Sequence, residues 1–127
     1  MYKGIWNDVV RVEGNSDDAL KAVREAINTS QRTGAPLEEG AAHRVLGQIY
    51  DAIGDRADAH SAFRSSLAVL EKVQCPPELA QTLLAYGRFR KGDNSLEDLA
   101  MIERALGLFE EMNAPGWIEE ARAALRA

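Results

Sequence analysis

A glycine in the middle of a helix-forming run is the feature that most constrains how this chain can fold. From His43 to Phe63 the sequence reads HRVLGQIYDAIGDRADAHSAF. Leu46 and Tyr50 are four residues apart, so they share one helical face, with Ile49 and Ile53 beside them. Gly47 interrupts that helix at a position where glycine costs about 1 kcal/mol relative to alanine. The cost has a reason if a second helix passes close at that point. The residues that follow supply one. Ala59 and Phe63 are again four apart, and Ala62, Ser66 and Leu67 continue their stripe. Between the two runs, Gly54-Asp55 offers a glycine stop for the first helix and an aspartate N-cap for the second. The expectation is a tight helical hairpin in which small residues let the backbones close and Phe63 fills the space that remains.

The rest of the chain reads as copies of this hairpin. Ala35-Pro36, Cys75-Pro76 and Ala114-Pro115 recur as boundaries, and Gly14-Asn15, Gly54-Asp55 and Asp93-Asn94 recur as turns between them. The period is roughly 40 residues, within the range of helical repeat arrays. The pattern predicts an all-α chain of about seven helices, over residues 2–13, 16–33, 37–53, 56–73, 78–91, 95–112 and 117–127. In the second of these, Ala19, Val23, Ala26 and Ile27 lie on one side, with Ala19 and Val23 in the places of Ala59 and Phe63. Leu83, Tyr86 and Gly87 stand where His43, Leu46 and Gly47 stand. Ser95-x-x-Asp98 is a capping-box-like start. The segment MIERALGLFEEMNAP matches AFRSSLAVLEKVQCP in apolar character, with Ile102, Ala105, Leu106, Phe109 and Met112 inward. The final helix has no partner after it and reads as a closing element for the stack. Its covering face is Trp117, Ile118, Ala121 and Leu125, leaving Glu119, Glu120, Arg122 and Arg126 in water. The division expected is one domain, 1–127, with repeats at 1–36, 37–76 and 77–115 and a capping helix at 116–127. The opening repeat is clipped, which suggests a piece of a longer polypeptide.

The spacing Leu46-Gly47, Tyr50, Gly54, Ala59, Phe63 resembles the tetratricopeptide repeat (TPR). The likeness covers the whole chain with departures. His43 replaces the usual Trp, Arg90 stands where Tyr is usual, Asn7 replaces the first Gly, and the unit exceeds the standard 34 residues by about six. The tail, TLLAYGRFRKGD followed by ALGLFEEMNAPGWIEEARAALRA, is similar to the C-terminal helical arrays of large bacterial signalling ATPases, including LuxR-type activators and related cyclases and kinases. The resemblance implies antiparallel hairpins stacked as an α–α superhelix, a non-catalytic role in protein–protein interaction, and chemistry located elsewhere in the parent polypeptide. It also implies that the first helix of each repeat lines a concave groove. That face maps to Arg44, Gln48 and Asp51, to Leu84, Arg88 and Lys91, and to Asp8 and Arg11. Arg44, Arg88 and Lys91 would form a cationic strip able to receive an acidic peptide or a C-terminal carboxylate through charge-assisted hydrogen bonds. The alternative is a regulatory sensor domain that takes a peptide or small ligand into the same groove.

Composition narrows the classes further. The chain has 127 residues, 46% of them hydrophobic and 28% charged, ordinary for a globular domain. A net charge of −5 disfavours direct nucleic-acid binding, which needs a basic face. Cys75 is single and cannot form an internal disulfide. No apolar run approaches spanning length, and Met-Tyr-Lys-Gly-Ile-Trp lacks the apolar centre of a signal peptide, so no membrane association and a cytoplasmic location are expected. Gly87-Arg-Phe-Arg-Lys-Gly92 begins like a phosphate loop, but Asp93-Asn94 follows where Lys-Ser/Thr is required. His43 and His60 fall on different helices with no Cys or carboxylate at metal-ligand spacing. No base, oriented nucleophile and anion hole are legible together. The expectation is therefore no enzyme, with no catalytic residue, cofactor or metal. The clipped first helix leaves Ile5, Trp6 and Val10 as an apolar edge, through which self-association is expected.

Overall fold

The structure is a computed structural model and describes residues 16–90 and 96–126. Six helices fill them: α1 (Ser16–Thr33), α2 (Pro36–Ala52), α3 (Arg56–Val73), α4 (Pro76–Arg90), α5 (Leu96–Glu111) and α6 (Pro115–Arg126). No strand occurs among the described residues, and the all-α expectation holds for them. The seventh expected helix, at 2–13, lies outside the described residues, as do its apolar edge, Asp8 and Arg11, the Gly14-Asn15 turn, and Lys91 to Ser95. Helix ends agree with the sequence reading to within two residues. The difference comes at the prolines. Helices α4 and α6 begin on Pro76 and Pro115 rather than two residues later, because the first turn of a helix has no use for the missing N–H and proline's φ already suits it.

Packing divides the chain between Val69 and Leu70, within α3. In the unit before the division, α1 packs against α2, and α2 also meets α3. A Cβ built on Gly47 would stand 2.9 Å from the Phe63 ring, and the Ser66 hydroxyl donates to the Gly40 carbonyl at 2.7 Å. Both contacts need the two backbones close. Ala59 and Phe63 are 0% and 1% exposed, and Ala19 and Val23, in the matching places on α1, are 2% and 1%. Of the expected inward residues here, Leu46 and Leu67 are half-buried and two are exposed. Ala26 sits at the margin of the stripe Ala19, Val23, Ile27, Ser30 and is exposed. Ile53 is the C-cap of α2, so the helical stripe has ended before it, and it is 43% exposed.

In the unit after the division, α4 packs against α5 and α5 against α6. The close approach recurs: a Cβ on Gly87 would lie 2.6 Å from Ile102 Cγ1 and 3.3 Å from the Asp98 carbonyl. Ile102, Ala105 and Phe109 are buried, while Leu106 and Met112 flank them half-buried. Trp117 of α6 stacks on Phe109 with centroids 5.3 Å apart and an 11° interplanar angle. Ala121 and Ala124 are buried beneath the last helix, and Trp117, Ile118 and Leu125 are half-buried.

The junctions repeat as closely as the hairpins. Each boundary places a left-handed residue two before a proline: Gly34 (φ 67°), Gln74 (φ 52°) and Asn113 (φ 53°). The Ala35 N–H reaches back to Ser30 O at 2.8 Å, and Ala114 N–H to Phe109 O at 3.1 Å, the Schellman closure that satisfies orphan helix carbonyls. Gln74 N–H closes on Leu70 O at 3.1 Å. The carbonyls of Ala35, Cys75 and Ala114 then accept the first bonds of the next helices, from Glu39, Leu79 and Ile118. Within the central hairpin, Gly54 (φ 85°) ends α2, and Asp55 Oδ1 accepts the Asp58 N–H at 3.2 Å, the aspartate cap expected there.

Two stability predictions follow from this geometry. Gly47→Ala improves helix propensity by about 1 kcal/mol but drives a methyl into the Phe63 ring. The net effect expected in urea unfolding is a loss of about 1–3 kcal/mol, which disappears when the same change is made in a Phe63→Leu background. An alanine equally harmful in both backgrounds would separate Gly47 from Phe63. At the junctions, Gly34 has nothing within 4 Å of a built Cβ, so Gly34→Ala isolates the left-handed backbone penalty, about 1 kcal/mol. Gln74→Gly should gain somewhat less, because glycine also loosens the unfolded chain. Melting temperatures that move in the same direction for both variants would contradict the shared geometry.

Candidate functional site

Within the first unit, the expected groove positions lie along α2. Arg44 is 5% exposed, Gln48 is half-buried and Asp51 is exposed. The same register on α4 gives Leu84 at 1% and Arg88 half-buried, with Lys91 outside the described residues. Arg44 and Leu84 are therefore corrected from open groove to buried positions. A first helix with neighbours on two sides retains only a narrow strip facing water, and the residue four before the strip's centre falls inside it. The arginine's aliphatic stem suits a place that leucine fills in the other unit.

Arg88 is engaged within its own unit. Its Nη2 lies 2.9 Å from Glu120 Oε2 and donates to the Glu120 carbonyl at 3.2 Å. Both side chains are about a third or more exposed, so the ion pair contributes at most about 1 kcal/mol. The open positions on the first helices are thus Gln48 and Asp51 on α2, and a partly satisfied Arg88 on α4.

Sequence reasoning did not identify a recess on the α2–α3 hairpin. It has a volume of about 210 Å³ and is lined by His43, Leu46, Tyr50, Asp58, Ser61, Ala62 and Ser65. His43 Nε2 lies 3.3 Å from Glu39 Oε2, and Gln31 of α1 donates to the same oxygen at 3.1 Å. His43 Nδ1 is buried with no hydrogen-bond partner among the described residues, so neither serine is paired with it as a nucleophile. The Tyr50 hydroxyl accepts a hydrogen bond from Arg24 of α1. The Asp58 carboxyl is held above the usual carboxylate range, first by a hydrogen bond with Asp55 and then by the like charge of that residue. That is the signature of two carboxylates sharing a helix cap at an exposed position. The signal for this recess was His43 standing where an indole is usual.

Asp98 carries a deeply buried carboxylate, 1% exposed. Its Oδ1 lies 3.1 Å from Arg90 Nε, and Arg90 Nη2 bonds Glu97 Oε2 at 3.0 Å. The guanidinium also lies 5.5 Å from the centroid of the Tyr86 ring. Burial works against the Arg90 charge, but Glu97, Asp98 and Tyr86 together outweigh it and raise its pKa above the ordinary arginine value. Perturbed charges of this kind occur both at functional sites and in structural ion pairs. The register gives the pair a structural setting: Arg90 and Asp98 occupy the places of Tyr50 and Ala59 in the other hairpin. Among the described residues, no group of three or more His, Cys, Asp or Glu side chains is placed to hold a metal ion, and no helix is long and apolar enough to cross a membrane.

Asp98→Ala should leave the Arg90 charge poorly compensated and cost about 3 kcal/mol. The double variant Arg90→Tyr/Asp98→Ala, which copies the other hairpin, should recover most of that loss in urea unfolding. Strict additivity of the two single changes would refute the exchange of one pair for the other. No family model, curated protein or solved structure matches the chain.

Proposed function

We propose that this chain is a non-catalytic protein-interaction module of the tetratricopeptide type, a scaffold segment of a larger bacterial signalling or regulatory protein. The observation that carries the reading is the same closure at the same register in each unit. Gly47 lies under Phe63 and Gly87 under Ile102, which is the contact the repeat pattern calls for. Closure of this kind buries one face of each first helix and keeps a strip of the other in water. In the first unit that strip carries Gln48 and Asp51, side chains suited to peptide backbone and cationic groups. The partner is a protein or peptide, with no cofactor and no part for nucleic acid or membrane.

The second reading is a sensor domain, and the recess beside His43 is the observation that favours it. A bound small molecule retained by the purified chain in native mass spectrometry would select the sensor. The scaffold reading has its own test. Gln48→Lys/Asp51→Lys in the full chain, used as bait against an extract of the source cells, should retain at least tenfold less of a protein that the parent chain captures. Circular dichroism should show unchanged helix content. Equal recovery of every protein by both baits would refute the scaffold reading through α2.

A further inference from the structure

The recess between α2 and α3 is a slot whose two walls each follow one helical face. His43, Leu46 and Tyr50 come from α2, and Asp58, Ser61, Ala62 and Ser65 from α3. All lie in the first unit. Leu46 and Ala62 make its apolar wall, and Ser61 and Ser65 are exposed on its rim. Its volume of about 210 Å³ falls below the roughly 300–1,000 Å³ of sites for drug-sized molecules. The space suits one amino-acid side chain, or a small molecule of that size.

The polar groups around the slot are rich in acceptors. Ser61 and Ser65 have no hydrogen-bond partner among the described residues. The Tyr50 oxygen takes one hydrogen bond from Arg24 and has a second lone pair. In a neutral His43 ring whose Nε2–H faces Glu39, Nδ1 is an acceptor, and it is buried without a partner. At the Tyr50 end the Asp58 carboxyl is held above the usual range by its hydrogen bond with Asp55 and by that residue's like charge, which Arg24 offsets only in part. An anion in the slot would meet these two carboxyls. A wholly apolar molecule would strip water from Asp58 and the serines and replace none of it. A cation with N–H donors meets neither obstacle.

We propose that the recess between α2 and α3 binds an organic cation, a guanidinium or ammonium on a short aliphatic stem. Asp58 faces the charge, Ser61 accepts from its N–H groups, and Leu46 and Ala62 pack against the stem. This rests on the sensor reading and names the class of ligand sensed. A free alkylguanidine and the arginine side chain of a peptide carry the same chemistry.

The test is an NMR titration of the full chain with butylguanidinium. The His43 ring signals and the Ser61 and Ser65 amides should move together and saturate. Butylurea has nearly the same shape without the charge and should bind about tenfold more weakly. Asp58→Asn should weaken butylguanidinium by a similar factor, and Ser61→Leu, a change at an exposed position, should block the slot and abolish the shifts. Signals that stay still, equal binding of the two probes, or undiminished binding by either variant overturns the proposal. The comparison of probes in the parent chain decides the matter even where a variant fails to fold. The source of the cation is read with acetyl-Gly-Arg-Gly-amide: tighter binding than butylguanidinium makes the occupant an arginine of a partner, and weaker binding makes it a free small molecule. A neutral or anionic molecule retained by the purified chain in native mass spectrometry, with no response to butylguanidinium, rejects the cation and leaves the sensor reading standing.

Discussion

A missing side chain sets the distance between paired helices in this protein. At Gly47 and at Gly87 the partner helix delivers a large residue into the volume that a Cβ would occupy, Phe63 in one hairpin and Ile102 in the other. The glycine lowers the propensity of its own helix, so the contact must return more than that loss. It does so by letting backbones approach until further groups meet. Ser66 reaches the Gly40 carbonyl only because α2 and α3 are that close. Ala59 is fully covered for the same reason. Shape complementarity at one residue thus decides which neighbouring positions can be small, which must be large, and which are left in water.

The junctions impose a second constraint that acts in series with the first. A left-handed residue reverses the chain, the next residue supplies its carbonyl as a cap, and proline starts the following helix. None of these steps strictly needs its residue type, although proline is present at all three junctions, where its fixed φ suits the first helical position. The first step is met by Gly34 at no steric cost, by Asn113 at little, and by Gln74 at more. The gradation shows that the fold tolerates a poor local choice when the helices on either side are well packed, as expected where tertiary contacts dominate propensity.

The regular elements were legible because their signals are local. Three prolines, the Gly54-Asp55 stop and start, and apolar spacing of three and four residues place the helix boundaries without reference to packing. The hairpin contact was legible too, since a costly glycine mid-helix asks for a neighbour. The candidate site was less so. Register assigned Arg44 and Leu84 to an open face, but burial depends on how many helices flank α2 and α4, which no local pattern records. The pairing of Arg88 with Glu120 was hidden for a similar reason, since 32 residues separate them; Arg88 was assigned to the groove and Glu120 to water. The recess at His43 has only a faint trace in sequence, the absence of a bulkier ring.

Where the two hairpins differ, they differ in a way the shared frame permits. Tyr50 and Arg90 occupy one register position, four residues after helix positions that both carry bulk, Leu46 and Tyr86. In the first unit the hydroxyl of Tyr50 is tied to an arginine from α1, and Ala59 is fully covered. In the second, arginine itself stands at that position and turns to acidic residues of the following helix, Glu97 and Asp98. Each solution joins a guanidinium to a tyrosine at the hairpin's end, by a hydrogen bond to Tyr50 in one case and by approach to the ring face of Tyr86 in the other. The steric contact at glycine is kept while the polar contact beside it is exchanged. Asp98, buried, and Arg90, half-buried, close the second hairpin at the place where Tyr50 and Ala59 stand in the first.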